Sequence, residues 1–203
     1  MESPLTYFLK AAALGFTAAV SPGPFQTYLI SESLSGGWKR GAPVAFAPLI
    51  TDAPIILFSL FILDLLPENF LRGVSVAGGL FVFYLAWSLF KRWRARTGEI
   101  EGEPGGSSLW RGALANFLSP GPYLFWGLVN GPLLLAALRQ STSHGISFLL
   151  GFYGVMITSL LGMALIFTQA RRLGPRFVRG MLLLSILILL VFGGLLLKQG
   201  IWD

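Results

Sequence analysis

The chain has 203 residues, of which 54% are hydrophobic and only 12% charged. A soluble domain carries about 25% charged residues; with a mean hydropathy of +0.71 this chain holds more apolar surface than a water-soluble core can bury, so its class is integral membrane protein. The net charge of +6 does not point to nucleic acid, because the basic residues stand in short clusters between apolar runs, the pattern that orients a membrane chain. The absence of cysteine excludes disulfides, iron–sulfur clusters and thiol redox chemistry.

The N-terminus, with Glu2 and no basic region before the apolar run, reads poorly as a signal peptide. Six apolar stretches follow, at residues 5–36, 42–64, 69–90, 109–138, 145–169 and 176–198. Each is roughly 20 residues or longer, enough for a helix to cross about 30 Å of hydrocarbon. The first and fourth are overlong, as two half-helices joined by an irregular break would be. Residues 91–108, with Gly, Pro and acidic residues near their centre, form the one linker. The expected fold is all-α, with six transmembrane helices in two halves, 1–90 and 109–203, joined by the loop 91–108.

Lysine and arginine set the expected orientation. Lys39, Arg40, Lys91, Arg92, Arg94, Arg96, Arg111, Arg171, Arg172, Arg176 and Arg179 fall on one side of a six-span chain, which is eleven of the fifteen basic residues. Lys10, Arg72, Arg139 and Lys198 fall on the other. The side with the excess is cytoplasmic, so a multi-pass protein of the cell (inner) membrane is expected, with both termini outside.

The tetrapeptide Ser-Pro-Gly-Pro occurs twice, as Ser21-Pro22-Gly23-Pro24 and as Ser119-Pro120-Gly121-Pro122, once in each overlong stretch. Proline has no N–H and clashes with the preceding turn. In lipid a broken backbone ladder is tolerated only where it is buried in protein or lines a cavity. Three spans per half place the second half upside down relative to the first, a 3+3 inverted repeat with broken helices 1 and 4. Paired interruptions in corresponding positions of such halves point to a transporter's binding site. A plain kink for tight packing at Gly23 and Gly121 is the alternative.

Serine followed by proline also predicts a helix start, with Ser21 and Ser119 as N-caps. The prolines should free the carbonyls of Ala18, Val20, Asn116 and Leu118, and each new helix N-terminus should carry partial positive charge. Carbonyls for an ammonium and N-termini for a carboxylate suit a zwitterion such as an amino acid. The expected substrate-binding residues are the two tetrapeptides themselves together with Gln26, Asn116 and Tyr123; Tyr28, Trp126 and Asn130 are further residues near a break.

Asp52 lies eleven residues past Gly41, about 16 Å deep at 1.5 Å per residue. An ionised aspartate at the membrane centre costs about 2.5–3.5 kcal/mol or more, so this group is expected to exchange a proton during transport or to hold a substrate ammonium. The alternative is a structural aspartate bonded to backbone freed by Pro48 and Pro54. No acid occupies the matching part of span 5, where Tyr153, Thr158 and Ser159 are the polar groups. Trp87, Trp93 and Trp110 read as packing or interface aromatics, Asp64 and Glu68 as solvated loop residues, and His144 as exposed.

The run Ser21-Pro-Gly-Pro, then Leu34-Ser-Gly-Gly-Trp-Lys-Arg-Gly41, then Pro48-Leu-Ile-Thr-Asp-Ala-Pro54 resembles the LysE/RhtB superfamily of amino-acid exporters. The family's Pro-Gly-Pro motif, basic glycine turn, helix-2 aspartate, basic central loop and second proline motif all have counterparts, across essentially the whole length. The resemblance implies export of amino acids or related metabolites driven by the proton gradient, with Pro22, Gly23, Pro24 and Asp52 at matching positions. Many relatives carry Asn-Pro in helix 4 where this chain has Ser119-Pro120, with Asn116 one turn earlier, so the resemblance leaves the substrate open.

Other readings are an exporter of a metal cation or other small solute, or a non-transporting membrane subunit. A single acid without Cys, Met or His makes a poor site for soft metals; a channel filter and a catalytic set are both missing, so no enzyme and no cofactor are expected. Expected partners are an amino-acid-like solute, the proton and lipid, with homo-oligomers possible through the small faces Gly73/Ala77 and Gly78/Gly79.

Overall fold

The structure, a computed structural model, describes residues 3–62, 68–94 and 105–202. Within those residues it is entirely helical. Helices α1 (Pro4–Val20) and α2 (Pro24–Gly36) make up the first overlong stretch; α3 (Trp38–Val44) and α4 (Ala47–Ile62) follow, then α5 (Glu68–Arg94). Past the central linker come α6 (Gly105–Phe117), α7 (Pro120–Phe125), a π-helical turn Trp126–Asn130 and α8 (Gly131–Gln140). The long helices α9 (Thr142–Ala170) and α10 (Pro175–Trp202) close the chain. Among the described residues, three helical stretches are long and apolar enough to cross a membrane: Pro120–Gln140, Thr142–Leu173 and Pro175–Lys198. Pro4–Val20 and Ser75–Lys91 are shorter apolar helices. The linker's middle, 95–104, and Asp64 lie outside the described residues, as does the side chain of Glu68.

Both tetrapeptides interrupt a helix, but at different registers. The residue before a proline is pushed out of the α region, and Ser21 (φ −63°, ψ 123°) and Gly23 (φ −169°, ψ 176°) both take extended backbone. The helix therefore resumes only at Pro24. In the second copy Ser119 alone is extended (φ −94°, ψ 133°) and Gly121 is already helical, so α7 starts at Pro120. Neither serine caps the helix that follows, contrary to the expectation. A capping hydroxyl accepts from the N–H at the second or third helical position. Proline fills the third position in both copies if the helix starts after the serine. The hydroxyls turn back instead: Ser21 Oγ donates to the Thr17 carbonyl at 2.7 Å and Ser119 Oγ to that of Ala115 at 2.7 Å.

The π-turn has a similar cause. Pro132 cannot donate to the carbonyl of Leu128, and the helix widens at Trp126–Asn130 immediately before it.

Glycine sets the closest helix crossings. Gly15 of α1 packs on the backbone carbonyl of Phe152 in α9, and Gly151 of α9 packs reciprocally on that of Phe8. A Cβ at Gly79 of α5 would stand 3.0 Å from the Gly193 carbonyl of α10, while Gly78 faces the Leu118 carbonyl. Gly78 and Gly79 thus serve contacts within the chain and are not an oligomer face. Gly73 and Ala77 remain exposed. At Gly37, between α2 and α3, φ is +68°, a left-handed turn that glycine adopts without strain.

Candidate functional site

The two breaks face one cavity of about 400 Å³. All eight residues of the tetrapeptides line it, with Gln26, Asp52 and Asn116. Tyr123, expected among them, does not: it is buried and donates its hydroxyl to the Phe117 carbonyl at 2.9 Å, tying the end of α6 to α7.

Asp52 is 4% exposed and is held by side chains from three other elements. Its Oδ1 accepts from Asn116 Nδ2 (α6) at 3.1 Å. Its Oδ2 accepts from Trp126 Nε1 (the π-turn) at 3.3 Å and from the Tyr153 hydroxyl (α9) at 3.2 Å. Asn116 Nδ2 also donates to Thr51 Oγ1 at 2.7 Å. The Trp126 ring is fixed in turn, edge-on to Phe152 at 5.2 Å and stacked on Tyr153 at 6.2 Å. Asp52 therefore does not bond to backbone freed by Pro48 or Pro54. A carboxylate offers about four acceptor positions; three are taken, and Oδ1 keeps room for one more donor.

The freed carbonyls take a different course from the one expected. Gln26 Nε2 donates to the Ala18 carbonyl at 3.0 Å, replacing the N–H that Pro22 lacks. The Ser119 N–H reaches the Asn116 carbonyl at 3.2 Å, and the Leu118 carbonyl lies against Gly78. The Ala18 and Asn116 carbonyls are thus bonded inside the protein, and that of Leu118 is packed against a helix backbone and does not line the cavity. What the cavity offers a cation is the carboxyl group of Asp52.

A second buried charge cluster escaped the sequence reading. Glu32 of α2 is 1% exposed, and its Oε2 accepts from Arg40 Nε at 2.7 Å and Ser108 Oγ at 2.8 Å, with Arg40 Nη2 at 2.6 Å. The left-handed turn at Gly37 folds α3 back so that Arg40 reaches Glu32. Arg40, counted above as a loop charge, is 5% exposed. The available signal was an acid inside the first apolar stretch, eight residues ahead of an arginine across a Gly-Gly corner.

The remaining polar residues do not line the cavity. His144 is half-buried and not fully exposed; its Nδ1 lies 2.6 Å from Ser141 Oγ and its ring meets Tyr7 edge-on at 5.7 Å. Thr158 Oγ1 bonds back to the Gly154 carbonyl. Trp87 and Trp110 are exposed, and Trp93 Nε1 donates to the Arg179 carbonyl at 3.2 Å. Asn130 is fully buried, and neither its Oδ1 nor its Nδ2 has a hydrogen-bond partner. Among the described residues no three His, Cys, Asp or Glu side chains gather as a metal site would require.

Apolar helices interrupted at paired prolines, with a cavity and a buried carboxyl group between the interruptions, define a membrane protein of the translocator class. The chain belongs to the LysE type translocator family, whose model matches residues 16–200, a range that holds both tetrapeptides, Asp52 and all three of its partners. It is similar to the chemotactic transduction protein ChpE of Pseudomonas aeruginosa, 30% identical over 164 residues that cover 77% of this chain and 78% of that protein. No solved structure matches. The family is one of transporters of small molecules, not of enzymes.

Proposed function

We propose that the protein exports an amino acid or related small metabolite across the cell membrane in exchange for protons. Both Ser-Pro-Gly-Pro breaks and Asp52 border a single cavity, and that observation carries the reading. In this account residues 1–90 and 109–203 are oppositely inserted halves, the loop 91–108 is cytoplasmic, both termini are outside, and the cavity lies near mid-membrane.

The ionised Asp52 receives the substrate's ammonium at the open position on Oδ1, while Asn116, Trp126 and Tyr153 hold the carboxylate in place through charge-assisted hydrogen bonds. The N-terminus of α2, whose first helical bond runs from the Thr27 N–H to the Gly23 carbonyl at 3.0 Å, turns its partial positive charge toward the substrate carboxylate. After reorientation, a proton from outside neutralises Asp52 and releases the ammonium. The protonated carrier returns and gives the proton to the cytoplasm, one proton in for each substrate out. A metal cargo fits less well, because an indole N–H, an amide N–H and a phenol O–H directed at the carboxylate are donors and not metal ligands.

The test is counterflow of labelled amino acids in proteoliposomes, with and without a pH gradient. An inward proton gradient should accelerate export, and Asp52→Asn should abolish the acceleration. Transport by Asp52→Asn with an unchanged response to the gradient would refute the proton role. The name of ChpE supports a second reading, a non-transporting signalling subunit, which predicts no exchange of any solute.

A further inference from the structure

The cavity walls go further than the transport reading and bear on what it carries. Among the described residues that line the cavity, Asp52 is the only formally charged one, and no Lys, Arg or His is among them. Most donors of the polar lining residues are already engaged: one Gln26 Nε2 N–H on the Ala18 carbonyl, Asn116 Nδ2 on Thr51 and Asp52, Trp126 Nε1 on Asp52, and the Ser21 and Ser119 hydroxyls on backbone carbonyls. The rest of the wall that matters for a side chain is Phe125, Phe152, Met156, Leu160, Phe192 and Leu196. A guest's second charge, a lysine ammonium or a glutamate carboxylate, would leave water for phenyl rings and aliphatic groups and meet no counter-charge. An ammonium set over a ring recovers only part of its lost hydration. A large apolar group gains from the same surfaces, both by burial and by edge-to-face and sulfur–aromatic contacts. At about 400 Å³ the space is in the range of small-ligand pockets, about 300–1,000 Å³.

We infer that the cargo is a primary ammonium bearing a large apolar group, of the phenylalanine or leucine kind, with its ammonium at Asp52 and its apolar group against the wall formed by α7, α9 and α10. This rests on the transport reading proposed above. Phenylalanine and phenethylamine share that chemistry, and the experiment separates them.

Gly121 supplies a probe of the same wall. It lines the cavity, and outside its chain neighbours and its own helix a Cβ built on it meets nothing within 4 Å, so a side chain there projects into open space and reduces it. The experiment compares exchange of labelled phenylalanine, leucine, alanine, lysine, aspartate and phenethylamine in proteoliposomes of wild type and Gly121→Val. Phenylalanine and leucine should exchange at least about tenfold faster than lysine and aspartate, the discrimination expected of an apolar pocket. Phenethylamine exchanging beside phenylalanine shows that the ammonium and ring suffice; its exclusion shows that the carboxylate is also read, and either result agrees with the assignment. Gly121→Val should lower the phenylalanine-to-alanine rate ratio by about tenfold, with Gly121→Ala as the milder variant if the valine form fails to assemble. Lysine or aspartate exchanging as fast as phenylalanine overturns this inference and leaves transport standing. No exchange of any probe above protein-free liposomes overturns both. An unchanged ratio in the folded Gly121 variants removes the apolar group from this wall.

Discussion

The Glu32–Arg40–Ser108 cluster gives the sharpest stability prediction. Arg40→Met deletes the Nε donor at 2.7 Å and the Nη2 ion-pair contact at 2.6 Å and leaves the Ser108 hydroxyl donating to a carboxylate that is 1% exposed. Breaking a buried pair in this way costs about 3–5 kcal/mol, because the remaining charge stays desolvated. At about 2–4 °C per kcal/mol for a chain of this size, the melting temperature in detergent should fall by about 6–20 °C. The double variant Glu32→Gln/Arg40→Met removes both charges, and the Gln carbonyl still accepts from Ser108. Arg40 Nη1 and Nη2 are both buried without a well-aligned hydrogen-bond acceptor, so the native pair is itself incompletely satisfied, and replacing such pairs with neutral groups is often neutral or stabilising. The double variant should therefore recover to within about 1 kcal/mol of wild type or exceed it. Thermal unfolding of wild type, Arg40→Met, Glu32→Gln and the double variant, followed by tryptophan fluorescence, supplies the cycle. Arg40→Met melting with wild type, or a double variant no better than the worse single one, would show that the two charges are not paired in the folded protein.

Other positions give predictions of opposite sign for the same chemical change. Gly15→Ala drives a methyl into the Phe152 carbonyl and should cost about 1–3 kcal/mol by overpacking, while Gly154→Ala, in the same α1–α9 region but with nothing within 4 Å of its Cβ, should gain up to about 1 kcal/mol from helix propensity; equal melting temperatures for the two would discount the close crossing. Tyr153→Phe keeps the ring stacked on Trp126 and removes one of three donors to Asp52. A hydrogen bond to a charged group contributes about 1.5–3 kcal/mol, so proton-driven exchange should slow by roughly 10- to 100-fold, and a Tyr153→Phe carrier with wild-type rates would show the phenol to be irrelevant. Asn130→Leu replaces a fully buried amide with no partner and should raise stability by about 1–3 kcal/mol; a lower melting temperature would mean that the amide is hydrogen-bonded after all.

The breaks were legible because proline's effect is local: a missing N–H and a restricted preceding residue act whatever the rest of the chain does. Where each helix resumes was not legible, since identical tetrapeptides resume at Pro24 and at Pro120. The difference lies in whether the glycine before the second proline stays extended, as Gly23 does, or enters the helix, as Gly121 does. The tetrapeptide is identical in both copies, so the choice is not made by these four residues. Asp52 stood out as an acid in an apolar run, and Asn116 and Trp126 stood near a break, but the contact with Tyr153 spans 101 residues and no local pattern encodes it. Glu32 was missed for a related reason: near the end of an overlong stretch it looks like any interfacial acid, and the contact with Ser108, 76 residues away, is not encoded in the local pattern that pairs it with Arg40. Local chemistry thus decides where the chain must break, and long-range packing decides what each break exposes. At the first break, Gln26 takes up the Ala18 carbonyl; at the second, the early restart at Pro120 is followed six residues on by the π-turn that carries Trp126 to Asp52. One repeated tetrapeptide therefore makes two different walls, and the single carboxyl group is gripped from the second copy's side.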